Sequence, residues 1–299
     1  MSTWLASRAD GPRRLRALLE GPDIVLAPGA YDCLSARLIE AAGFPAVYMT
    51  GFGTAASHLG RPDVGLLGMS EMVDQARRIV AAVQVPVLAD ADTGYGGPLN
   101  VIRTVRSYEA AGVAGIHIED QETPKRCGHM DGKQLIPAEE MAVKVRAAVA
   151  ARTSRNFTIV ARTDARAVEG IERAVARADL YRRAGADVLF VEAPESEREI
   201  EAIAESLRGM PLLFNWAEGG KTPPVPVARL RELGFRIVIF PVGPLLAAAR
   251  AVGELLAVLR ADGTPSAAMS RLTPFREFVD FLGLPEMREL ERRFGRGTG

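Results

Sequence analysis

Asp90 and Asp92 stand two positions apart at the close of one apolar run, and Glu119 closes the next such run. Hard cations such as Mg2+ take oxygen ligands and keep several waters, so this carboxylate set suits them. Three converging acids would repel one another strongly without a cation. The same acids could instead cap the following helices or pair with lysines and arginines. For a lone aspartate that is the better reading; for three together a metal is favoured. The segment Lys125-Arg126-Cys127-Gly128-His129 comes soon after. Flanking cations can lower the pKa of a thiol, and such a group can exchange a proton with carbon near neutral pH. Gly128 and Gly132 permit a mobile loop that could close over a substrate. By motif alone the segment reads equally well as a solvated basic loop with an incidental cysteine. Arg126 and Arg162 could hold substrate carboxylates through bidentate pairs, or could be structural partners of Glu192 or another acid. Cys33, in a helical stretch, reads as a small buried apolar residue. His117 is expected in a strand and His58 in a loop, neither with a ligand-like neighbour. The turn at Gly94, Gly96 and Gly97 lacks the lysine of a P-loop and any dinucleotide fingerprint, so a nucleotide is not expected.

These residues need a frame. Short runs rich in Val, Ile, Leu and Phe recur at Ile24–Pro28, Ala46–Thr50, Pro86–Ala89, Gly115–Ile118, Phe157–Ala161, Val188–Val191, Leu212–Phe214 and Arg236–Phe240. They lack polar alternation, the pattern of parallel strands buried on both faces. Amphipathic segments separate them, among them Ser70–Val83, Leu99–Ala111, Pro137–Ala151 and Glu169–Ala184. Glycines at 43, 112, 185 and 234 close such segments just before a strand, as helix stops do. Eight strands with eight helices over about 240 residues predict a (β/α)8 TIM barrel. An open doubly wound sheet is the rival that periodicity alone does not exclude. Barrel sites lie at the C-terminal strand ends, and there six runs close on polar residues: Thr50, Asp90 with Asp92, Glu119, Arg162 with Asp164, Glu192, and Asn215 with Glu218. Residues 10–20 read as a leading helix. Residues 271–294 read as a C-terminal helical extension, Pro274–Leu282 and Pro285–Phe294, of a single domain spanning 1–299. Its aromatics need a surface, on this barrel or on a neighbouring subunit.

The 299 residues are 48% hydrophobic and 25% charged, with 37 basic and 37 acidic side chains. A balanced charge gives no field selecting nucleic acid or an anionic membrane. The apolar runs are strand-sized, far short of a membrane span, and the opening Met1-Ser2-Thr3-Trp4 shows no secretion signal. Two cysteines make no disulfide framework, which fits a reducing cytosol.

Tyr48-Met-Thr-Gly-Phe-Gly53, Asp90-Ala-Asp-Thr-Gly94, Ile118-Glu-Asp-Gln121, Lys125-Arg-Cys-Gly-His129 and Ala161-Arg-Thr-Asp-Ala165, in that order, resemble the isocitrate lyase/phosphoenolpyruvate mutase superfamily. The resemblance runs from about residue 15 to the C-terminus. It is nearest the branch of methylisocitrate lyases, alkylmalate lyases and carboxyvinyl-carboxyphosphonate phosphorylmutases. It implies a Mg2+ site (with Mn2+ as the substitute) at Asp90 and Asp92, with Asp63 and Glu119 nearby. It implies that Thr50, Gly51 and Phe52 form a loop holding a 2-oxo carboxylate and that Tyr48 lies near the substrate hydroxyl. Cys127 would be the acid/base cysteine of a gating loop. Gly128, His129, Arg162, Glu192 and Asn215 would contact the substrate or its neighbours. The resemblance further implies tetramers that exchange the eighth helix between subunits. The implied reaction breaks the C2–C3 bond of a 2-hydroxy carboxylate, leaving a 2-oxo acid, with Cys127 supplying a proton to the departing carbon.

Two positions depart from a plain methylisocitrate lyase. Leu246 stands where those enzymes carry an arginine for a further carboxylate. A leucine cannot pair that charge, which favours a smaller or more apolar substrate such as an alkylmalate. Arg276 aligns with another substrate arginine. Pro241 stands where oxaloacetate hydrolases of the superfamily tend to have serine, and proline offers no hydrogen-bond donor there. A phosphorylmutase would share the metal site but would have no need of a cysteine that protonates carbon. A non-catalytic scaffold would not retain Asp90, Asp92, Glu119 and Cys127 together.

Overall fold

The computed structural model describes residues 10–295 together with Leu5; Met1-Ser2-Thr3-Trp4 lie outside the described residues. Each apolar run becomes a strand: β1 Val25–Ala30, β2 Val47–Met49, β3 Val87–Asp90, β4 Gly115–Glu119, β5 Thr158–Thr163, β6 Val188–Val191, β7 Leu212–Asn215 and β8 Phe235–Phe240. All pair in parallel and in chain order, and β1 closes on β8. The closed barrel settles the choice against the open sheet. Side chains alternate along each strand, so two cores form. Val25, Ala27, Tyr48, Leu88, Val160, Phe190, Leu213, Ile237 and Ile239 share the inner cluster. Val47, Val87, Ala89, Ile116, Ile159, Leu189 and Leu212 join the helices in the outer one.

The helices are α1 Gly11–Glu20, α2 Cys33–Ala41, α3 Gly51–Leu59, α4 Met69–Ala82, α5 Pro98–Ala110, α6 Ala138–Ala151, α7 Arg166–Glu169, α8 Ile171–Arg183, α9 Glu197–Ser206, α10 Val227–Glu232, α11 Gly243–Asp262, α12 Phe275–Phe281 and α13 Leu284–Phe294. Asp10 caps α1 by accepting from the Arg13 amide at 3.1 Å. Leu15 and Leu19 of α1 enter the inner cluster, each contributing about 1.5–3 kcal/mol by burial. The four helix-stop glycines at 43, 112, 185 and 234 are all left-handed, with φ of 86°, 86°, 103° and 92°. The expected helix over 169–184 is broken at Gly170 (φ 87°) into α7 and α8. A second difference is α3. Thr50 caps it, accepting from the Gly53 amide at 3.2 Å, so Gly51 and Phe52 open a helix rather than a loop, and His58 lies in its last turn. The run Gly51-Phe-Gly-Thr-Ala-Ala is too rich in glycine and too short to show helical period. Cys33 opens α2 and is half-buried rather than buried.

Contacts divide the chain into one unit ending at Leu245 and another beginning at Leu246. The second holds most of α11, a 3-10 turn at Ser266–Arg271, and α12 and α13. None of these three helices contains a buried residue.

Candidate active site

The C-terminal strand ends gather a buried polar cluster. Asp90, last in β3, accepts from the Asp92 amide (2.9 Å), the Gly51 amide (3.2 Å) and the Tyr48 hydroxyl (3.4 Å). A Cβ at residue 51 would fall on that carboxylate, so only glycine lets α3 start there. Tyr108 of α5 donates to the Asp90 carbonyl at 2.9 Å and meets the Tyr95 hydroxyl at 3.1 Å, fixing the strand end from outside. Asp92 follows in the left-handed region, φ 48°. Glu119 ends β4, accepting from Gln121 Nε2 at 3.0 Å and lying 3.3 Å from Arg162 Nε.

Ligand atoms of Asp90, His117 and Glu119 lie within 4.8 Å of one another, so a group able to hold a metal ion is present. His117 was expected to be an ordinary strand residue without partners. Its Nε2 in fact meets the Tyr48 hydroxyl at 2.8 Å and Asp90 Oδ1 at 3.5 Å. Burial above all pushes its pKa down to about 4, so the ring is neutral near pH 7. Asp63 and Asp92 instead flank Lys125, whose Nζ is 2.7 Å from each. The Asp63 contact has the better hydrogen-bond angles; Asp92 Oδ1 is held by the charge of the same ammonium. Burial, joined by repulsion from Asp90 and Asp63, raises the Asp92 carboxyl despite Lys125. Burial also raises Glu119, against the pull of Arg162. Asp90 goes the other way: burial raises it, but His117, Lys125 and Arg162 together outweigh that and hold it low.

The loop from 125 to 133 is held on several sides. Gln121 brackets Arg126, accepting from its amide (3.0 Å) and donating to its carbonyl (2.8 Å). The Cys127 amide donates to the Asp63 carbonyl at 3.2 Å. A Cβ at Gly128 would run into Arg162 and Glu192, so the loop backbone presses directly on those side chains. The Lys221 amide donates to His129 Nδ1 at 3.1 Å. Nδ1 is therefore the acceptor, and Nε2 carries the hydrogen toward Glu192 Oε1, 3.0 Å away.

The flanking cations that could acidify Cys127 are engaged elsewhere. Lys125 is spent on Asp63 and Asp92, His129 on Glu192, and Arg126 reaches the Asp131 carbonyl. Burial then dominates and pushes the thiol up to about 11, so it is a protonated S–H near neutrality.

Arg162, in β5, sits among three acids. It forks onto Asp164 (Nε 3.0 Å, Nη2 3.1 Å) and lies 3.3 Å from both Glu119 and Glu192. It also stacks over Phe190 at 5.1 Å. The three acids include Glu192, the structural partner the sequence suggested for it. Glu192 is held low by Arg162 and His129 against its burial, and Asn215 Nδ2 donates to both its oxygens at 3.1 and 3.2 Å. Asn215 Oδ1 is buried with no partner. Thr50, Gly51 and Phe52 form the N-terminus of α3, whose amides suit a carboxylate. Thus Asp90, Glu119, Arg162, Glu192, Asn215, Tyr48, Gly128 and His129 form one connected cluster, and Asp63, Asp92 and Cys127 join it through Lys125 and the loop backbone. Sequence reasoning assigned no role to His117, Asp164 and Lys133. Asp164 was visible as a strand-closing acid; nothing local marks the other two.

A family model described as phosphoenolpyruvate phosphomutase matches residues 15–260. The 2,3-dimethylmalate lyase of Eubacterium barkeri is 48% identical over 95% of this chain and 98% of its own length. The 2-methylisocitrate lyase of Aeropyrum pernix is 46% identical, covering 94% of this chain and 90% of that protein. A solved oxaloacetate acetylhydrolase, in complex with the inhibitor 3,3-difluorooxalacetate, matches with a TM-score of 0.90 at 40% identity over 97% of this chain and 99% of that one. With a closed eight-strand barrel and a polar cluster at its strand ends, the chain belongs to the phosphoenolpyruvate mutase family, within the isocitrate lyase/phosphoenolpyruvate mutase superfamily.

Proposed function

We propose that the chain is a Mg2+-dependent carbon–carbon lyase that splits a 2-hydroxy di- or tricarboxylate, of the alkylmalate or 2-methylisocitrate type, into a 2-oxo acid and a second carboxylate. The observation that carries this reading is the placement of Cys127: a half-buried thiol, its pKa raised by desolvation, on a loop pressed onto Arg162 and Glu192. A departing carbanion needs a proton donor, and an S–H meets that need; moving a phosphoryl group does not.

Asp63, Asp90, Asp92 and Glu119 offer hard oxygen donors, all buried, against the Lys125 ammonium and the Arg162 guanidinium that Glu119 shares with Asp164 and Glu192. Ligand atoms of Asp90, His117 and Glu119 lie within 4.8 Å of one another, and a set of several buried carboxylates is the donor chemistry that Mg2+ takes, with Mn2+ as the substitute. When bound, the ion supplies Lewis-acid polarisation of the substrate's C2 oxygen and carboxylate. Tyr48, hydrogen-bonded to neutral His117, is assigned to the substrate hydroxyl, whose proton leaves as the C2–C3 bond breaks. The bond's electron pair passes into the departing carboxylate as an enediolate. Cys127 gives one proton to carbon and is left as thiolate. The hydroxyl proton, relayed through Tyr48 to His117 Nε2, passes on to solvent and one from solvent restores the thiol, so protons and charge balance over the cycle. The start of α3 is assigned to the 2-oxo carboxylate, with the Phe52 amide as donor, because the Gly51 amide already serves Asp90. His129, Glu192, Asn215 and Arg162 wall the other side, with Asn215 Oδ1 open to a substrate donor. Leu246 in place of the expected arginine favours an alkylmalate over a tricarboxylate.

We further read residues 1–299 as one functional domain with 271–294 as its helical extension, working as a homotetramer that exchanges helices. Support comes from apolar side chains left exposed in the second unit, among them Val252, Leu256, Phe275 and Phe294. Two free cysteines favour a reducing cytoplasm, and among the described residues no helix is long and apolar enough to cross a membrane.

The deciding assay is Mg2+-dependent release of 2-oxo acid from 2,3-dimethylmalate, other alkylmalates, 2-methylisocitrate, isocitrate and oxaloacetate. Cleavage of an alkylmalate is the expected result. Oxalate from oxaloacetate without any alkylmalate cleavage would replace the lyase with a hydrolase.

A further inference from the structure

Lys133 ends the Cys127 loop and has no part in the chemistry above. Its side chain is 2% exposed. Its Nζ donates to the Gly128 carbonyl and lies 3.1 Å from Asp164 Oδ1. Asp164 is fully buried and is the same carboxylate that forks onto Arg162. One ammonium thus joins the loop backbone, at the glycine packed on Arg162, to the acid that orients Arg162.

A buried charge is costly when it loses its partners. Lifting the loop either strips the Gly128 carbonyl from Lys133 or drags the ammonium off Asp164. Two further ties hold other parts of the loop: Lys125 fastens its start to Asp63 and Asp92, and His129 its middle to Glu192. The pair of Lys221 with Asp131, whose aspartate side chain is 91% exposed, contributes little. Of these ties, the buried one at Lys133 is the one that joins the end of the loop to the acid that orients Arg162. The structure assigns Lys133 as the positioning residue that fastens the Cys127 loop to the Arg162–Asp164 clamp, making loop closure and clamp order a single event. The assignment rests on the lyase reading only in that Cys127 is the group being positioned.

Lys133→Met keeps the stem and removes the ammonium. Two readouts are taken with Mg2+ present: steady-state cleavage of the best substrate in the panel above, and tryptic cutting after Lys125 and Arg126 with oxalate as the probe ligand. Displacing the loop should lower kcat ~100-fold with KM changed less than about threefold. Loss of the tie should speed tryptic cutting about tenfold, because local opening becomes easier. Lys133→Ala with added propylammonium should recover part of both signals. Unchanged kcat, or an equally protected loop, overturns the assignment. If Lys133→Met does not fold by circular dichroism, Lys133→Ala decides: recovery of loop protection by propylammonium supports the tie, and no recovery overturns it. If the wild-type chain cleaves none of the acids, the lyase reading falls, while the protection experiment still decides the tie.

Discussion

Two glycines in one loop offer a controlled test of how the site is built. At Gly128 a Cβ would lie well inside contact distance of Arg162 Nη2 and of Glu192 Cγ and Cδ. To reach an ordinary contact of 3.5–4.0 Å, something must move by roughly 1 Å. Arg162 cannot give way easily, because it is held by Asp164 at 3.0 and 3.1 Å and by Glu119 and Glu192 at 3.3 Å. The loop must therefore lift, carrying Cys127 with it. A shift of ~1 Å at the proton donor should cost ~100-fold in kcat, and the overpacking about 1–3 kcal/mol of stability. Gly132 is the contrast. Its φ is +79°, and its Cβ would meet Arg126 Nη1 at 2.9 Å and Cζ at 3.5 Å, the end of an exposed side chain that gives up no more than one hydrogen bond, to the Asp131 carbonyl, by moving. Gly132→Ala should lose ~1–2 kcal/mol through the left-handed backbone, with kcat reduced less than about tenfold. Turnover of the best substrate and thermal melts by circular dichroism give both quantities. If Gly128→Ala retains kcat within about threefold, or if the two variants lose activity equally, the claim that loop backbone rests on the Arg162 clamp is wrong.

The remaining predictions concern the thiol and the substrate. Because burial raises Cys127 to about 11, thiolate forms only as pH rises toward that value. In a Cys33→Ser background, iodoacetamide alkylation of Cys127 should climb about tenfold per pH unit from 7 to 10 without a plateau, and a plateau near pH 8 would mean that the thiol is acidified after all. Cys127→Ser should abolish turnover with little change in melting temperature, and a near-normal kcat would remove the cysteine from the chemistry. Leu246→Arg should raise any 2-methylisocitrate cleavage relative to alkylmalate cleavage; no rise would leave the leucine out of the substrate argument.

How far the sequence carries depends on the range of each interaction. Strands and helix ends are local, and they were legible. Four glycines expected to stop helices all adopt positive φ, because that role depends on one residue and its immediate neighbours. α3 was not legible, because its glycines mask any period and its cap, Thr50, also closes a strand. In the site, residue types and strand ends could be read, but pairings could not. Lys125, Arg126 and His129 flank Cys127 in the chain, which suggested a lowered pKa. Their partners Asp63, Asp92, Asp131, Glu192 and the Lys221 amide come mostly from other segments. Which carboxylate takes which cation is decided by barrel closure, so the sign of the Cys127 shift was not in the local pattern. His117 shows the same limit: its hydroxyl partner belongs to β2 and its carboxylate partner to β3.

The choice between lyase and hydrolase rests on equally few atoms. An oxaloacetate acetylhydrolase matches this chain with a TM-score of 0.90, so the scaffold cannot separate the two activities, as expected when function resides in side chains grafted onto a shared fold. At the end of β8 the difference becomes concrete. Pro241 is buried, and its backbone lies so close to Gly29 of β1 that no Cβ would fit at residue 29. The chain path at 241 is thereby fixed against the neighbouring strand, and the residue there cannot swing aside to let another group replace it. Proline in that fixed place has neither a hydroxyl nor an N–H to offer a hydrated or tetrahedral intermediate. The protonated thiol of Cys127 is meanwhile suited to end a carbanion. A site that lacks a donor at one strand end and places a half-buried thiol on a loop packed against Arg162 and Glu192 is better suited to protonating carbon than to guiding water onto a carbonyl.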